Sequence, residues 1–561
     1  MATFRQQLDA LTTPETGGRR WVYVHGDQLS DRIGPLARME AGEAGIVLTE
    51  TRWHLARRPH HRQKLALLLA NQRHFALEQA RRGVAVEYLE TEAPLREALR
   101  PAAARRGALA VMEPAEREVR ADLAPLLAEG LLERHPHDGW LTTRAQFRES
   151  LGRDGAFRMD AFYRLVRQQS GYLMEGGKPV GGKYSFDAEN REPWRGEPRA
   201  PEEPGFPMDA VKAEVCALVA ERFARHPGTL RPEALPATAE DAGALWSWAR
   251  RECLPHFGPY EDAMSRHSSG LFHTRLSPLM NIHRLLPRDV VEDALAEPLP
   301  LASKEGFLRQ VLGWREYVRH VHVETDGFRR LPGGDPPVAA EAGDAGFARW
   351  AGASWPGTAP LEGLDGGAEP SALGAARPLP PAFWGAESGL ACLDHVVADV
   401  WREGWSHHIT RLMVLSNLAT LLDVSPRELT DWFWVAYVDA FDWVVEPNVL
   451  GMGTYALGGL MTTKPYVSGT PYIEKMSDYC GACAFRPKKD CPVSRLYWAF
   501  LARNEAELRG NPRLFMPMNA LAKRSDAERA RDAAVFEAVS ARLAEGRPAT
   551  PRLVADAVAG A

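Results

Sequence analysis

The chain is predicted to join an N-terminal α/β domain, built on a parallel sheet, to a C-terminal domain that is all α. Two patterns carry that expectation. Short apolar runs at 21–25, 45–49, 84–89, 108–112 and 131–134 alternate with helical stretches such as 61–82 and 115–128, the order that winds a parallel sheet. From about residue 237 the apolar spacing turns helical and stays so, through 241–254, 303–322, 390–403, 406–422, 425–439 and 497–509. With 561 residues, 45% of them hydrophobic, the chain can fill two or three cores. The expected division is 1–137 for the α/β domain, 138–236 for a connection, 237–511 for the helical domain and 512–561 for a helical extension. Residues 333–376, rich in Ala, Gly and Pro, read as an exposed insertion.

Composition narrows the function classes. The first ten residues are polar and no run approaches the roughly 18 apolar residues of a membrane helix, so a cytoplasmic protein with no membrane partner is expected. A net charge of −5 argues against a protein that coats nucleic acid along its whole surface, and leaves room for a local basic groove. Six cysteines are too few for a disulfide scaffold, and Cys216 and Cys253 read as helix-core thiols. Cys480, Cys483 and Cys491 form a C-x2-C-x7-C run, with Cys392 far upstream. Thiolates select zinc or iron–sulfur, and spacing leaves both open; a site closed by one distant ligand staples two segments of a fold.

Other residues stand out by position. The first strand runs into His25-Gly26-Asp27-Gln28-Leu29 and the second ends in Glu50, which puts two acids at the carboxyl ends of neighbouring strands, where open α/β sheets bind ligands; helix capping is the other reading of Asp27. The basic run 57–64 reads as the solvated start of a helix in preference to a DNA-facing strip. Residues 140–205 form a polar, Gly- and Arg-rich passage too long for a tight connection. Six tryptophans (Trp384, Trp401, Trp405, Trp432, Trp434, Trp443) surround His407, His408 and Arg411, and helical core explains most of them. Arg411 follows His407 by one turn and shares its face, with His408 on the next. Such a pair is usually structural unless something nearby needs a proton.

Five phrases then occur in order: Phe257-Gly258-Pro259-Tyr260-Glu261-Asp262-Ala263-Met264, Leu276-Ser277-Pro278-Leu279-Met280-Asn281, Gly313-Trp314-Arg315-Glu316-Tyr317, His407-His408-Ile409-Thr410-Arg411-Leu412-Met413 and Pro447-Asn448-Val449-Leu450-Gly451-Met452. Together they resemble the photolyase–cryptochrome superfamily, and within it the bacterial iron–sulfur branch, the prokaryotic (6-4) photolyases. The resemblance implies an antenna domain, a long connection and a helical FAD domain. It implies a [4Fe–4S] cluster on Cys392, Cys480, Cys483 and Cys491, although the last interval is shorter here than the family's pattern; proline after the final ligand, as at Pro492, is a familiar step.

The resemblance further implies a folded FAD held by Tyr260, Thr274, Leu276, Ser277, Gln310, Trp314, Arg315, His407, Arg411, Asp439, Asp442 and Asn448. The implied reaction is light-driven electron transfer from reduced FAD to a (6-4) photoproduct in UV-damaged DNA, with His408 as proton donor and His407 and Tyr466 lining the lesion pocket. Trp384 and Trp432 resemble an electron relay, and Phe433 stands where some relatives carry a redox-active tyrosine. A 6,7-dimethyl-8-ribityllumazine antenna would lie at Asp27 and Glu50, and Lys178, Lys183 and Arg191 would meet phosphates. A monomer is implied, and a divalent cation is a further candidate cofactor. The alternatives are a photolyase for cyclobutane dimers, a cryptochrome-like photoreceptor, and a zinc-stabilised helical protein without flavin.

Overall fold

A computed structural model of the chain describes residues 2–12, 18–152, 155–339 and 366–561, so most of the expected insertion at 333–376 lies outside the described residues. The N-terminal part is a five-stranded parallel sheet of β1 (Arg20–Tyr23), β2 (Ala44–Thr51), β3 (Ala85–Thr91), β4 (Leu109–Met112) and β5 (Leu132–His135), in the order β3-β2-β1-β4-β5. Val22 of β1 pairs with Ile46 on one side and Ala110 on the other. All eight residues of β2 are buried, as expected of a strand covered on both faces. On one face Val22, Ile46 and Leu48 pack with helices Phe4–Leu11 and Arg62–Arg81; on the other Trp21, Tyr23 and Val47 meet Leu95–Arg106 and Arg117–Ala128. The strand order reverses between β1 and β4, which opens a crevice beyond their carboxyl ends.

The rest of the described chain is helical apart from one small hairpin, Met174–Glu175 with Lys178–Pro179. Several helices expected to be continuous are interrupted. The stretch 303–322 becomes Leu301–Leu308, a π-helical turn Arg309–Arg315 and Glu316–Glu324, and 406–422 contains a π-helical turn over Thr410–Ser416. A third such turn spans Pro447–Gly453. π-Bulges collect at functional sites, and these three carry Gln310, Trp314, Arg315, Arg411 and Asn448. The final helices, Phe515–Ala522, Asp526–Ala544 and Pro551–Ala559, pack on the core that contains Val493–Arg503.

The basic run 57–64 is not solvated. Arg58 and Lys64 are each 3% exposed, because this run is the plug between the sheet domain and the helices. The Arg58 guanidinium donates to both oxygens of Glu118 (2.9 and 2.5 Å) and lies 3.7 Å over the Trp434 ring. Burial alone would raise the Glu118 carboxyl, yet Arg58 outweighs it and holds the group at about 2. Lys64 Nζ donates to the carbonyls of Ala440 (2.6 Å) and Trp434 (3.4 Å), and the His61 backbone N–H donates to Val435 O (2.7 Å). The helix Pro426–Ala436 thus ends on cations and N–H groups from the other domain, where its unpaired carbonyls and negative dipole end favour them.

Removing one partner of a buried ion pair leaves the other charge stranded. Arg58→Met is expected to lower unfolding stability by about 3–5 kcal/mol, read from chemical denaturation followed by circular dichroism; a loss below about 1 kcal/mol, the level of a surface pair, would show that Arg58 and Glu118 do not form a buried ion pair.

Candidate active site

Three imidazoles meet on the inner wall of the helical domain. His407 stacks on His273 with centroids 4.4 Å apart and planes 4° from parallel, and His408 meets His273 edge-on at 5.3 Å and 72°. His273 lies in an irregular loop between two residues in the left-handed region, Leu271 (φ 42°) and Arg275 (φ 55°), a costly backbone for residues with side chains. Arg275 is held there by Glu403 (3.0 Å) and Glu203 (3.2 Å) and lies 4.3 Å over Trp405. One turn beyond His407, Arg411 grips Asp439 through both guanidinium nitrogens (3.1 and 2.9 Å), and Ser277 Oγ donates to Asp439 at 2.6 Å. The Arg411 guanidinium lies 4.0 Å over Tyr437, whose hydroxyl meets Ser406 Oγ at 2.8 Å.

Electrostatically the cluster is neutral at rest. Burial, reinforced by neighbouring imidazoles and arginines, pushes His273 and His407 well below the usual imidazole range. Burial, then Arg309 and Arg411, lowers His408 to about 4. Nδ1 of His407 and Nε2 of His273 are buried without a partner among the described residues, and buried polar atoms of this kind call for one. A second layer surrounds Glu261, which accepts from Gln310 (2.6 Å), Asn190 (2.6 Å) and Arg309 (3.3 Å). Arg309 also reaches Asp187 (3.1 Å), which acts electrostatically on both His408 and Tyr466.

Of the residues expected to hold a cofactor, Ser277, His407, Arg411 and Asp439 come together, with Leu276 buried beside Ser277 and Thr274 next to His273. Gln310 joins through the second layer, while the Tyr260 ring lies 5.3 Å from Phe272 and its hydroxyl donates to Glu197 O at 3.3 Å. Trp314 packs on Tyr317, and Asn448 Nδ2 donates to Val444 O (2.8 Å). Two further expected residues are engaged with the protein itself. Arg315 meets Glu316 (3.1 Å), Met280 O (3.2 Å) and the Trp140 face (4.3 Å), and Asp442 accepts the backbone N–H groups of Arg117 and Trp443, both at 2.6 Å. Asp442 thereby ties the helices to the sheet domain, and Arg315 ties them to the connection at Trp140. Sequence reasoning missed His273, Arg275 and Arg309, which lie outside the five phrases, and passed over Glu261 inside the first; no periodicity marked any of them.

Trp384 and Trp432 are buried, and each lies against Trp401, at 5.4 and 5.9 Å. The four cysteines Cys392, Cys480, Cys483 and Cys491 line one small cavity with Leu390, Ile473, Tyr479 and Phe485. Burial, and then the other three thiols, pushes Cys392 up, so any metal must displace protons. Among the described residues no three His, Cys, Asp or Glu groups converge closely enough to hold a single ion.

At the strand ends, Asp27 is 2% exposed and neither carboxylate oxygen has a partner among the described residues. Burial, partly offset by His25, lifts it to about 6. Glu50, in contrast, is already engaged by Arg73 (3.0 Å to each oxygen) and the Tyr88 hydroxyl (2.9 Å), so it does not share an open site with Asp27. Lys178 is exposed on the hairpin turned by Gly176 and Gly177 (φ 56° and 77°). Lys183 pairs with Glu189 (2.8 Å), and Arg191 with Asp187 and Asp262. Among the described residues no helix is long and apolar enough to cross a membrane.

Residues 22–235 match a family described as deoxyribodipyrimidine photo-lyase-related protein. Over 525 residues the chain is 32% identical to a protein named (6-4) photolyase from Agrobacterium fabrum, covering 90% of this chain and 96% of that one. Among solved structures it is similar to a bacterial class III photolyase from Agrobacterium tumefaciens (TM-score 0.52, 15% identity, 94% of this chain and 99% of that chain). It is also similar to a cryptochrome from Synechocystis sp. (TM-score 0.53, 13% identity, 93% and 95%). At those identities the two structures speak for the fold.

The neutral imidazoles set a pH dependence. His408 titrates near 4 in the folded chain and near 6.5 when unfolded, so the unfolded state binds more protons in between and stability falls as pH drops through that window. The melting temperature is expected to fall by several degrees between pH 7 and 5, and less so in His408→Gln; a flat profile would mean that the cluster is not buried in its neutral form.

Proposed function

Because this chain belongs to the photolyase–cryptochrome superfamily, a family of FAD proteins, we propose that it is a light-driven DNA lyase that repairs (6-4) pyrimidine–pyrimidone photoproducts. The observation that carries the reading is the buried imidazole cluster facing the Arg411–Asp439 pair, in a chain that aligns along nearly its whole length with a named (6-4) photolyase.

The residues present fit a bound FAD: His407 Nδ1 and His273 Nε2 lack partners, and Ser277, Arg411 and Asp439 offer a hydroxyl, a cation and a carboxylate on one wall. When bound, FAD supplies light absorption and the electron given to the lesion. Arg411 and Asp439 fix one another, so the wall does not reorganise when charge moves. His408 carries the proton chemistry. It is neutral in the resting chain, and the phosphates of an extruded dinucleotide favour its imidazolium, which then gives its proton to the lesion as the bonds rearrange. In this reading Tyr466 and His407 line the lesion pocket, and Asp187 acts electrostatically on both His408 and Tyr466. DNA reaches the site by extrusion of the damaged pair, so a local rim with Lys178, Lys183 and Arg191 is enough despite the net negative charge.

For the four-cysteine cavity we propose a [4Fe–4S] cluster. Zinc requires four thiolates at about 2.3 Å from one point, whereas a cluster gives each cysteine its own iron and suits sulfurs spread around a shared volume. It would staple helix Ala391–Glu403 to the segment before Val493–Arg503. At the β1–β4 crevice, the unpartnered Asp27 carboxylate is the group that supports a lumazine antenna; Glu50 does not contribute.

The test is repair of oligonucleotides carrying either a (6-4) product or a cyclobutane dimer by reduced protein under blue light. Restoration of the (6-4) strand alone is expected. His408→Ala should lower it by about 10²–10⁴-fold with flavin absorbance intact, and Cys483→Ser should remove the brown cluster absorbance. Flavin-loaded protein that repairs neither strand would replace the repair reading with a photoreceptor.

A further inference from the structure

Among the described residues four large hydrophobic side chains are exposed: Met208, Val338, Phe515 and Met516. The last two are neighbours and the most exposed, at 66% and 79%, where helix Phe515–Ala522 begins. Helical pitch explains why both face outward. Leu514, Met518 and Leu521 follow one another at i, i+4 and i+7 and pack in the core of the helical domain, which leaves Phe515, Met516, Asn519 and Lys523 on the outer face. The core does not cover this pair, and adjacent exposed apolar side chains, unlike scattered ones, mark an interaction surface.

Place and charge indicate what covers it. Asn511 Nδ2 donates to Thr463 O at 2.8 Å, just before the turn Pro512–Leu514 that leads into the helix, so the exposed pair is tied to the segment that runs on to Tyr466. Arg513 acts electrostatically on Tyr466, as do Asp187 and Arg191 from the other side of the chain. The neighbouring helices pair their arginines: Arg509 and Arg529 with Glu505, Arg495 and Arg524 with Asp532. Lys464, Arg513 and Lys523, in contrast, have no carboxylate partner among the described residues. Met516 and Lys523 are seven residues apart and share one helix face. An apolar pair rimmed by unpaired cations is complementary to a polyanion with a stacked interior, which is duplex DNA.

We propose that Phe515 and Met516 form a wedge that enters damaged duplex DNA beside the lesion and fills the space left when the lesion is extruded, with Lys464, Arg513 and Lys523 on the flanking phosphates. The proposal rests on the repair reading above. Extrusion leaves a gap in the stack and unpaired bases opposite it, and both favour the lesion's return. An apolar side chain in the gap replaces the lost stacking contact and bars that return. The flat ring of Phe515 and the adaptable thioether of Met516 suit a gap whose opposite bases vary. Leu514, buried beside them, and the Asn511 bond hold the helix start in place before DNA arrives, so little order is lost on insertion. A lesion in a single strand has no partner strand to compete with, and so it needs no wedge.

The experiment compares one lesion-bearing oligonucleotide as a duplex and as a single strand, using flavin-loaded full-length protein and DNA below saturation. Both side chains are exposed, so Phe515→Ser with Met516→Ser leaves the core intact, which an unchanged melting temperature verifies. The ratio of duplex to single-strand repair is expected to fall by roughly tenfold or more in that double variant, and Phe515→Leu should keep most of it. Arg513→Gln should reduce the slope of log affinity against log salt by about one. A ratio that stays at the wild-type value in the double variant overturns the wedge, and so does an equal loss on both substrates, which a merely structural role would give. Wild-type protein that dimerises without DNA and becomes monomeric in the double variant assigns the pair to a second copy of the chain and overturns the wedge too. Flavin-loaded wild-type protein that repairs neither form defeats the repair reading itself, and the wedge with it.

Discussion

A buried cation meeting the carboxyl end of a buried helix is the contact on which the rest depends. Lys64 is desolvated far enough that its amine is lowered to about 8, and what keeps it in place is the row of carbonyls at the end of helix Pro426–Ala436 and the turn beyond it. That same helix carries Trp432 and Phe433, and the turn carries Tyr437 and Asp439. Joining the two domains and positioning Tyr437 and Asp439 beneath Arg411 are therefore one structural problem. If helix Arg62–Arg81 shifted along its axis, it would move His61 off Trp401 and loosen the turn that presents Asp439 to Arg411.

The second organising device is the π-helical turn. Each inserted residue advances the following side chains by about 100° relative to a regular helix. In Arg309–Arg315 this puts Arg309 on the Glu261–Asp187 side while Arg315 turns outward to Trp140 and the sheet domain. One helix thus serves the candidate pocket with one arginine and the domain seam with the other. A regular helix places residues six apart on different faces from those these neighbours require.

The sheet and its order of elements were legible because parallel strands buried on both faces read as apolar runs, as β2 does throughout. The i, i+4 relation of His407 to Arg411 was legible for the same kind of reason, being a pure consequence of helical pitch. What the sequence hid was environment. The run 57–64 looks solvated because arginines and lysine normally are, and nothing local says that carbonyl ends from 370 residues away await them. His273 was hidden in a loop set by two left-handed residues, which leaves no periodic trace, and the π-helical turn at Arg309–Arg315 is invisible to a pattern that assumes 3.6 residues per turn. Glu50 looked like a ligand because its position at a strand end was visible and its partner Arg73 was not.

Charge on the buried imidazoles follows one rule. His61, His407, His273 and His408 are each lowered by burial, and so none of the four is an imidazolium at neutral pH. His25 goes the other way: burial opposes its charge, but Tyr23, Glu116 and Asp27 outweigh burial and raise it. The contrast has a physical reason. His25 has acidic groups within reach that outweigh the cost of burying its charge, whereas the imidazoles of the candidate pocket face other imidazoles and arginines. In the proposed repair reaction, a His408 that stays neutral until an anionic ligand arrives makes proton delivery conditional on the substrate.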